Sequence, residues 1–399
     1  MISFKRLRFP LGHEVSLAEL EADPYPVFAR LRGHEPITWL RALNMWYVTG
    51  YEDVRTAMLD TARLTTASEH STIFDTFGAH MLTTEGAAHD RYRRATQFPF
   101  APAYIRSHVE SAIEEITADL VNDFAAKHSA ELRAAFASRL PILVMLLVCG
   151  LPATAEGQMR RWYDTFEAAL ANFTGDPAVS AAARSSVREF HALLDDAISV
   201  GSGFNEHSLV ARLVNTPEPE RLTNDEIKRN LSIIFFGGIS TVEALLLNAL
   251  WALFENPAVL ARVRRDLALI PRVIEETMRW LSPVQSATRH VVEPFEWRGI
   301  EFAAHDTVNC MLGSANRDPA VFAEPDQFDI DRVNVRRHLG FATGPHSCLG
   351  SNLAKAEARI ALEVLFRQLP GLKIERSQTE RPTGYEFRQS RKLTVSWGS

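Results

Sequence analysis

The chain has 399 residues, of which 46% are hydrophobic and 23% charged, with a formal net charge of −6 at pH 7. This balance gives no reason to expect nucleic-acid binding, although local basic patches remain open. The three cysteines, Cys149, Cys310 and Cys348, are odd in number and far apart. A disulfide framework is therefore not expected, and a reducing cytoplasm fits better. The N-terminus lacks an apolar stretch after its first charges, so no signal peptide is predicted.

Two apolar segments raise the question of a membrane. Leu140 to Leu151 is too short to span a bilayer. Residues 231–254 are long enough, but they include Glu243, Asn248 and the pair Ser240-Thr241. Polar groups of this kind favour a buried helix through the middle of a large domain. We therefore predict a soluble protein with no membrane partner.

Helical periodicity dominates the chain. Helices are predicted over 25–33, 51–60, 87–98, 104–127, 154–173, 180–200, 224–254, 257–266, 271–281 and 351–368. Short strands are predicted over 36–40, 45–49, 286–293, 306–310, 371–375 and 391–397. These elements predict a mainly α fold with small β-sheets, and the absence of repeats and linkers predicts a single large domain over 1–399. Two segments, 63–84 and 173–183, are expected to be mobile elements over a site.

The stretch Phe341–Gly350 has the features of a loop that presents one cysteine. Gly344 and Pro345 break regular structure, and Gly350 lets a large flat group approach the backbone. Cys348 stands where this loop enters a helix, and free backbone N–H groups at that place favour a thiolate. A sulfur so placed ligates a metal, attacks a substrate or fills space.

Three further motifs narrow these choices. Glu276 and Arg279 lie one helical turn apart, a spacing that by itself is common on protein surfaces. A turn-rich segment over 316–332 leads into the cysteine loop. Gly237 and Gly238 are adjacent inside the long apolar helix, where each costs about 1 kcal/mol relative to alanine. The two glycines therefore indicate that another group approaches the helix backbone closely at that point.

Together these motifs resemble the cytochrome P-450 family of haem-thiolate monooxygenases over nearly the whole chain. The resemblance implies the cytochrome P-450 fold and haem b, with the Cys348 thiolate as the axial ligand of iron. It also implies a set of further cofactor-binding residues: His89, Arg93, Arg289, His346, Phe341, Gly350 and Gly237. Glu276 and Arg279 become structural residues that lock the 316–332 segment, with Arg332 in place of a second family arginine. A buried structural cysteine and a zinc site are the rival interpretations of Cys348, and no second Cys or His lies at ligand spacing for zinc.

The family carries an acid followed by threonine in the middle of the long helix, where they deliver protons for oxygen activation. Thr241 matches the alcohol, but Ser240 stands at the position of the acid. Serine passes a proton but does not supply one at neutral pH. Glu243 is either the distant proton source or merely an exposed helix residue. The implied catalytic residues are thus Thr241, Ser240 and Glu243, and the substitution leaves peroxide-driven activity open.

The family segments that line the substrate pocket are largely apolar here. Their matching residues are Ile73, Phe74, Phe77, Phe166, Leu170, Phe173, Ile234, Phe235, Gly238, Val284, Ala287 and Phe387. Because charges are scarce among them, a small hydrophobic substrate is expected, with an aromatic one as the narrower hypothesis. Phe77, Phe173 and Phe387 resemble the aromatic cage of bacterial members that demethylate small methoxyarenes.

The chain contains no dinucleotide-binding Gly-x-Gly-x-x-Gly after a strand and no cysteine cluster for an iron–sulfur centre. Electrons are therefore expected from a separate ferredoxin and ferredoxin reductase. A basic patch that would attract an acidic ferredoxin is predicted from Arg91, Arg94, Arg336, Arg337 and Arg359. The predicted activity is monooxygenation by hydroxylation or O-dealkylation. A peroxide-driven haem-thiolate peroxygenase and a non-catalytic haem sensor or carrier are the alternatives.

Overall fold

The structure of the protein is a computed structural model that describes residues 8–172, 175–200 and 207–398. Helices account for most of this part of the chain. They are α1 (Pro10–Glu14), α2 (Leu17–Ala22), α3 (Pro24–His34), α4 (Tyr51–Leu59), α5 (Thr72–Phe77), α6 (Gly86–Thr96), α7 (Pro102–His108), α8 (Glu110–Ala125), α9 (Leu140–Cys149), α10 (Glu156–Leu170), α11 (Pro177–Val200), α12 (Leu209–Asn215), α13 (Asn224–Glu255), α14 (Pro257–Arg265), α15 (Ile270–Trp280), α16 (Leu312–Ala315) and α17 (Ser351–Gln368).

The strands are short and lie at the edges of the helical body. They are β1 (Ile37–Leu40), β2 (Met45–Val48), β3 (Leu64–Thr65), β4 (Ser129–Glu131), β5 (Ala287–Val291), β6 (Phe295–Trp297), β7 (Ile300–Phe302), β8 (Thr307–Cys310), β9 (Lys373–Ile374) and β10 (Thr394–Ser396). One sheet has the order β1-β2-β8-β5-β3, in which β2 and β8 are parallel and the other neighbours antiparallel. A second sheet has the order β4-β10-β9, and β6 pairs with β7. The prediction of a mainly α fold with small β-sheets is confirmed.

Helix α13 runs through the main hydrophobic core and packs against α9, α11, α15 and α17. Thr223 begins it with a capping box, in which the Thr223 side chain accepts from the Glu226 backbone and the Glu226 carboxylate accepts in return. The helix is long and apolar enough to cross a bilayer, yet 83% of its most apolar window is buried inside the fold. Its composition is thus that of a core helix.

A buried ion pair fixes the 316–332 segment against α15. The Arg279 guanidinium donates to Glu276 at 2.6 and 2.8 Å and to the carbonyl oxygens of Pro325 and Gln327 at 2.7 and 2.8 Å. Arg332 Nε donates to the same Glu276 carboxylate at 3.3 Å. The expected structural role of this cluster, including Arg332, is confirmed by these contacts.

The structure also corrects several predicted elements. The helix expected over 104–127 is two helices, α7 and α8, separated at Val109. The 63–84 segment, for which no helix was predicted, contains α5, which Ser71 caps and which is followed by Gly78 with φ of +75°. Within 173–183, residues 173 and 174 lie outside the described residues, and helix α11 begins at Pro177. Helix α9 was not predicted because it is buried on nearly all sides and shows no amphipathic period.

Candidate functional site

The loop before α17 holds Cys348 by its own backbone. The Cys348 amide donates to the Phe341 carbonyl at 2.9 Å, and the Ser347 amide donates to the Gly344 carbonyl at 3.0 Å. Gly344 has φ of +79°, and a side chain there would meet the backbone of Met58. The Cys348 thiol has accessible surface although protein surrounds the residue. Its open side therefore faces a cavity inside the fold.

Burial raises the pKa of the Cys348 thiol, while the amide groups of Gly350 and Ser351 and the charges of Arg93 and Lys355 lower it. The net pKa is raised. We expected the start of the helix to favour a thiolate. The amide groups do lower the pKa of Cys348, but the increase caused by desolvation is larger. The free thiol is thus protonated at neutral pH, and binding of a metal cation would remove the proton.

Four cationic or ionisable side chains gather on one side of this loop. The rings of His89 and His346 lie 4.5 Å apart, and His346 Nε2 contacts a Glu85 carboxylate oxygen at 2.9 Å. Arg93 donates to the Ser347 carbonyl oxygen at 2.8 Å. Arg289 on β5 is near enough to Glu85 for that carboxylate to raise the pKa of the guanidinium, against the larger lowering by burial. Four residues predicted from distant segments are thus brought together.

The site has open positions that suit a flat group with acidic substituents. The Arg289 Nε is buried, and no hydrogen-bond acceptor reaches it among the residues that the structure describes. A side chain added at Gly237 or Gly350 would meet nothing within 4 Å. A porphyrin with two propionates would give the orphaned arginine an acceptor and lie against the two glycines. The residues present therefore fit haem.

The middle of α13 presents the predicted oxygen-activation residues, with one correction. Thr241 Oγ1 donates to the Gly237 carbonyl oxygen at 2.5 Å, and Ser240 is buried. The alternative that Glu243 is an exposed helix residue is wrong, because only 4% of it is exposed and its carboxylate accepts from Arg133 Nε at 2.6 Å. Burial raises the pKa of Glu243, and the Arg133 charge lowers it by less.

Aromatic rings form a continuous wall beside this part of α13. The Phe77 ring lies 5.2 Å from that of Phe166 and 6.1 Å from that of Phe236, and Phe236 lies 5.9 Å from Phe387. Phe387 is fixed by a bridge to Val284. Sequence reasoning missed Phe236, the central ring. Its position three and four residues before Ile239 and Ser240 would have placed it on the Ser240 face of α13.

The remaining predicted pocket residues lie on several elements. Ile73 and Phe74 are on α5, Leu170 ends α10, and Ala287 begins β5. Ile234 lies on α13 in the main core, and Phe173 lies outside the described residues.

Two pocket predictions are wrong in orientation. Phe235 is fully buried, with its ring 5.1 Å from that of Phe190 on α11. Gly238 faces α9, where an added side chain would come 2.6 Å from the Met145 sulfur. Both residues therefore serve helix packing, and the adjacent positions Phe236 and Gly237 face the site.

Comparison with known proteins identifies this arrangement. The profile of the cytochrome P450 family matches residues 178–384. The chain is 32% identical to the cytochrome P450 monooxygenase PikC of Streptomyces venezuelae, over 91% of this chain and 88% of the relative. It is 30% identical to the mycinamicin IV hydroxylase/epoxidase of Micromonospora griseorubida, over 93% of this chain and 94% of the relative. The chain belongs to the cytochrome P450 family.

Solved structures of cytochromes P450 have the same fold as this chain. The structure of P450BioI in complex with an acyl carrier protein ligated to hexadec-9Z-enoic acid superposes with a TM-score of 0.85, at 28% identity, and covers 94% of this chain and 98% of that one. A mutant of P450 EryK in complex with erythromycin B gives a TM-score of 0.83 at 26% identity, with coverage of 94% and 96%. The fold is the cytochrome P450 fold, and the chain is a haem-thiolate monooxygenase whose cofactor is held by a cysteine thiolate.

Proposed function

We propose that this monooxygenase hydroxylates or O-dealkylates a small, ring-containing hydrophobic substrate, with electrons from a separate ferredoxin and its reductase. The observation that carries the proposal is the aromatic wall of Phe77, Phe166, Phe236 and Phe387 next to Gly237 and Thr241. Flat faces and edges of this kind pack most closely on rings of similar size. The wall offers no charged side chain to a substrate.

Bound haem supplies the oxidising chemistry, and the electron-rich thiolate favours O–O cleavage. Cys348 would hold the iron, while Arg93, Arg289, His89 and His346 would hold the propionates. One oxygen atom enters the substrate, and the other leaves as water after two electrons and two protons are added. The aromatic wall contributes by orienting the reacting C–H bond and by keeping bulk water away.

Two relatives suggest other substrate classes. The EryK mutant is bound to erythromycin B, a larger molecule, and P450BioI is bound to an acyl chain on a carrier protein. A flexible acyl chain gains little from contacts with aromatic rings. The aromatic wall therefore supports a ring-containing substrate over an acyl chain.

A groove on the sulfur side of the loop supports electron entry from a partner protein. Lys355 in this groove lies over the Phe341 ring at 5.0 Å and lowers the pKa of Cys348. Its rim also contains Arg106 and Arg359. The predicted basic patch is narrower than expected, because three of its arginines pair with carboxylates: Arg91 with Glu226, Arg337 with Glu52 and Arg359 with Glu110. Exposed Arg94 and Arg336 form no ion pair among the described residues.

The test has two parts on the haem-loaded protein. The Soret band is titrated with methoxyarenes, monoterpenes, fatty acids and a macrolide, and then turnover is measured with ferredoxin, reductase and NADPH or with hydrogen peroxide alone. The proposal requires a Soret shift with the ring compounds and product formation that depends on the electron donors. Equal turnover with peroxide would replace it by the peroxygenase alternative, and no turnover with any donor would favour a sensor or carrier. We also place the enzyme in the cytoplasm as one domain over 1–399, in keeping with its free cysteines.

A further inference from the structure

Tyr163 on α10 lies directly against the face of α13 that carries Ser240. Its ring is stacked on Phe236, with centroids 5.6 Å apart and an interplanar angle of 8°. Ser240 follows Phe236 by four residues, one helical turn, so the stack directs the phenol toward the serine. Burial raises the pKa of the Tyr163 phenol, and the nearby side chain and backbone of Ser240 lower it by less.

Both hydroxyls are buried and short of partners. Tyr163 and Ser240 are 5% and 3% exposed, and neither hydroxyl completes a hydrogen bond within the described residues. Buried hydroxyls in folded proteins are almost always hydrogen-bonded. Two neighbouring orphans are satisfied when they bond to one another, or through a shared water, after a small rotation of each O–H. A short chain of exchangeable protons then runs from α10 to the centre of α13.

Two glutamates lie one helical turn beyond this pair of hydroxyls, one on each helix. Glu243 lies three residues after Ser240 on α13, and Glu167 lies four residues after Tyr163 on α10. Burial raises the pKa of the Tyr163 hydroxyl, and the charges of both carboxylates raise it further. Two arginines hold them: Arg133 bonds to Glu243 at 2.6 Å, and Arg391 approaches Glu167 at 3.6 Å.

We propose that Tyr163 is a relay residue that passes protons from Glu243 to Ser240 and Thr241, so that a tyrosine and a displaced glutamate together replace the family acid. This inference rests on the proposed oxygen-dependent function. In this relay Glu243 would give up one proton, the Tyr163 and Ser240 hydroxyls would each accept one and release one, and Thr241 would hold the proton on the side of α13 that faces the cofactor site. Glu243 is then reprotonated from solvent near Glu167, whose side chain is partly exposed.

The electrostatics of the cluster allow Glu243 to carry the proton. Burial raises the pKa of Glu243, and the nearby Glu167 charge raises it further, while Arg133 and the side chain of Gln389 lower it. The groups that face Glu243 are therefore Arg133 from the 133–137 turn, Glu167 and Tyr163 from α10, and Gln389 from the C-terminal segment. An acid whose pKa lies closer to neutrality donates more readily at physiological pH.

The experiment compares Tyr163→Phe with Tyr47→Phe in the haem-loaded enzyme. Tyr163→Phe keeps the stack on Phe236 and removes only the hydroxyl. Tyr47 is the matched control, since its ring is fully buried and its hydroxyl is likewise without a hydrogen bond in the described residues. Three quantities are measured: the fraction of NADPH electrons recovered in product, the solvent deuterium isotope effect, and the infrared carboxyl band that disappears in Glu243→Gln.

We expect Tyr163→Phe to lower the recovered fraction by about tenfold, in favour of hydrogen peroxide, and to enlarge the isotope effect. Ser240→Asp should restore the fraction in the Tyr163→Phe background, because it returns an acid to the helix. The Glu243 band should change with Tyr163→Phe and not with Tyr47→Phe. An unchanged band, or unchanged electron recovery with a changed band, would overturn the relay. Failure of the proposed function is recognised separately, since wild-type enzyme would then give no oxygen-dependent product.

Discussion

Arg279 and Glu276 form an ion pair at 2.6 Å in which neither side chain has any exposed surface. The guanidinium also donates to three backbone carbonyl oxygens of the 316–332 segment, those of Asn316, Pro325 and Gln327. The Arg279 side chain thus makes three hydrogen bonds between α15 and the segment that leads to Cys348, and its ion pair with Glu276 lies within α15 itself. The cysteine loop is held in place from outside the cofactor cavity.

Replacement of this arginine should therefore cost stability. Arg279→Met leaves the Glu276 charge buried with only the more distant Arg332, and we expect a loss of about 3–5 kcal/mol in the free energy of unfolding. Urea denaturation followed by circular dichroism measures it. Arg262→Met is the control, because Arg262 makes the same two-pronged bond to Asp331 at the surface, and little change is expected there. Equal losses in both variants would contradict the structural role of the buried pair.

The two adjacent glycines of α13 should respond in opposite ways. In Gly238→Ala the new methyl group would come 2.6 Å from the Met145 sulfur, so we expect a loss of about 1–3 kcal/mol in stability. In Gly237→Ala the methyl group meets no protein atom, and the stability of the haem-free protein should rise by up to about 1 kcal/mol. Thermal unfolding of both variants checks this. Unchanged stability of Gly238→Ala would show that the Met145 side chain moves aside at no cost.

Glu275 should make stability depend on acid pH. Burial raises the pKa of this carboxyl, but hydrogen bonds from His338 and Lys355 lower it from 4.5 to about 2. Because the folded pKa lies below the unfolded one, the stabilisation is complete above pH 4.5 and is lost as the pH falls toward 2. Glu275→Gln should thus lose up to about 3 kcal/mol at pH 7 and progressively less below pH 4.5. Urea titrations at several pH values measure the difference, and a constant difference would refute the pairing.

Phe77 should control the affinity for ring compounds. Phe77→Leu keeps an apolar side chain but removes the ring that contacts Phe166 and Phe236, and we expect spectral dissociation constants for bound arenes to rise about tenfold. Phe190→Leu is the matched control, because Phe190 is a buried ring that contacts Phe235 on the other side of α13. Equal effects of both variants would indicate general loosening of the core and remove the specific role of the aromatic wall.

Local motifs carried most of the prediction from sequence. A few consecutive residues are enough to recognise each of three features: the loop around Cys348, the pair Glu276 and Arg279, and the long central helix. The family and the reaction class were predicted from these features. Their physical demands are also local: a glycine where φ is positive, a cap before a helix, and two charges one turn apart.

Local motifs could not predict which residues of α13 face the site and which face the neighbouring helices. A helix buried on nearly all sides shows no polar face, so the sequence could not tell Phe235 and Gly238 from their neighbours Phe236 and Gly237. Long-range partners were hidden for a different reason. Arg133 pairs with Glu243 across 110 positions, and Tyr163 meets Ser240 only because α10 crosses α13.

Phe236 contacts both the aromatic wall and Tyr163. Its ring contacts those of Phe77 and Phe387 in the aromatic wall, and the ring of Tyr163 is stacked on one of its faces. A bound substrate that displaces the Phe236 ring should also tilt the Tyr163 ring that is stacked on it. We therefore expect that substrates of different shape change the distance between the Tyr163 and Ser240 hydroxyls on the other side of the Phe236 ring.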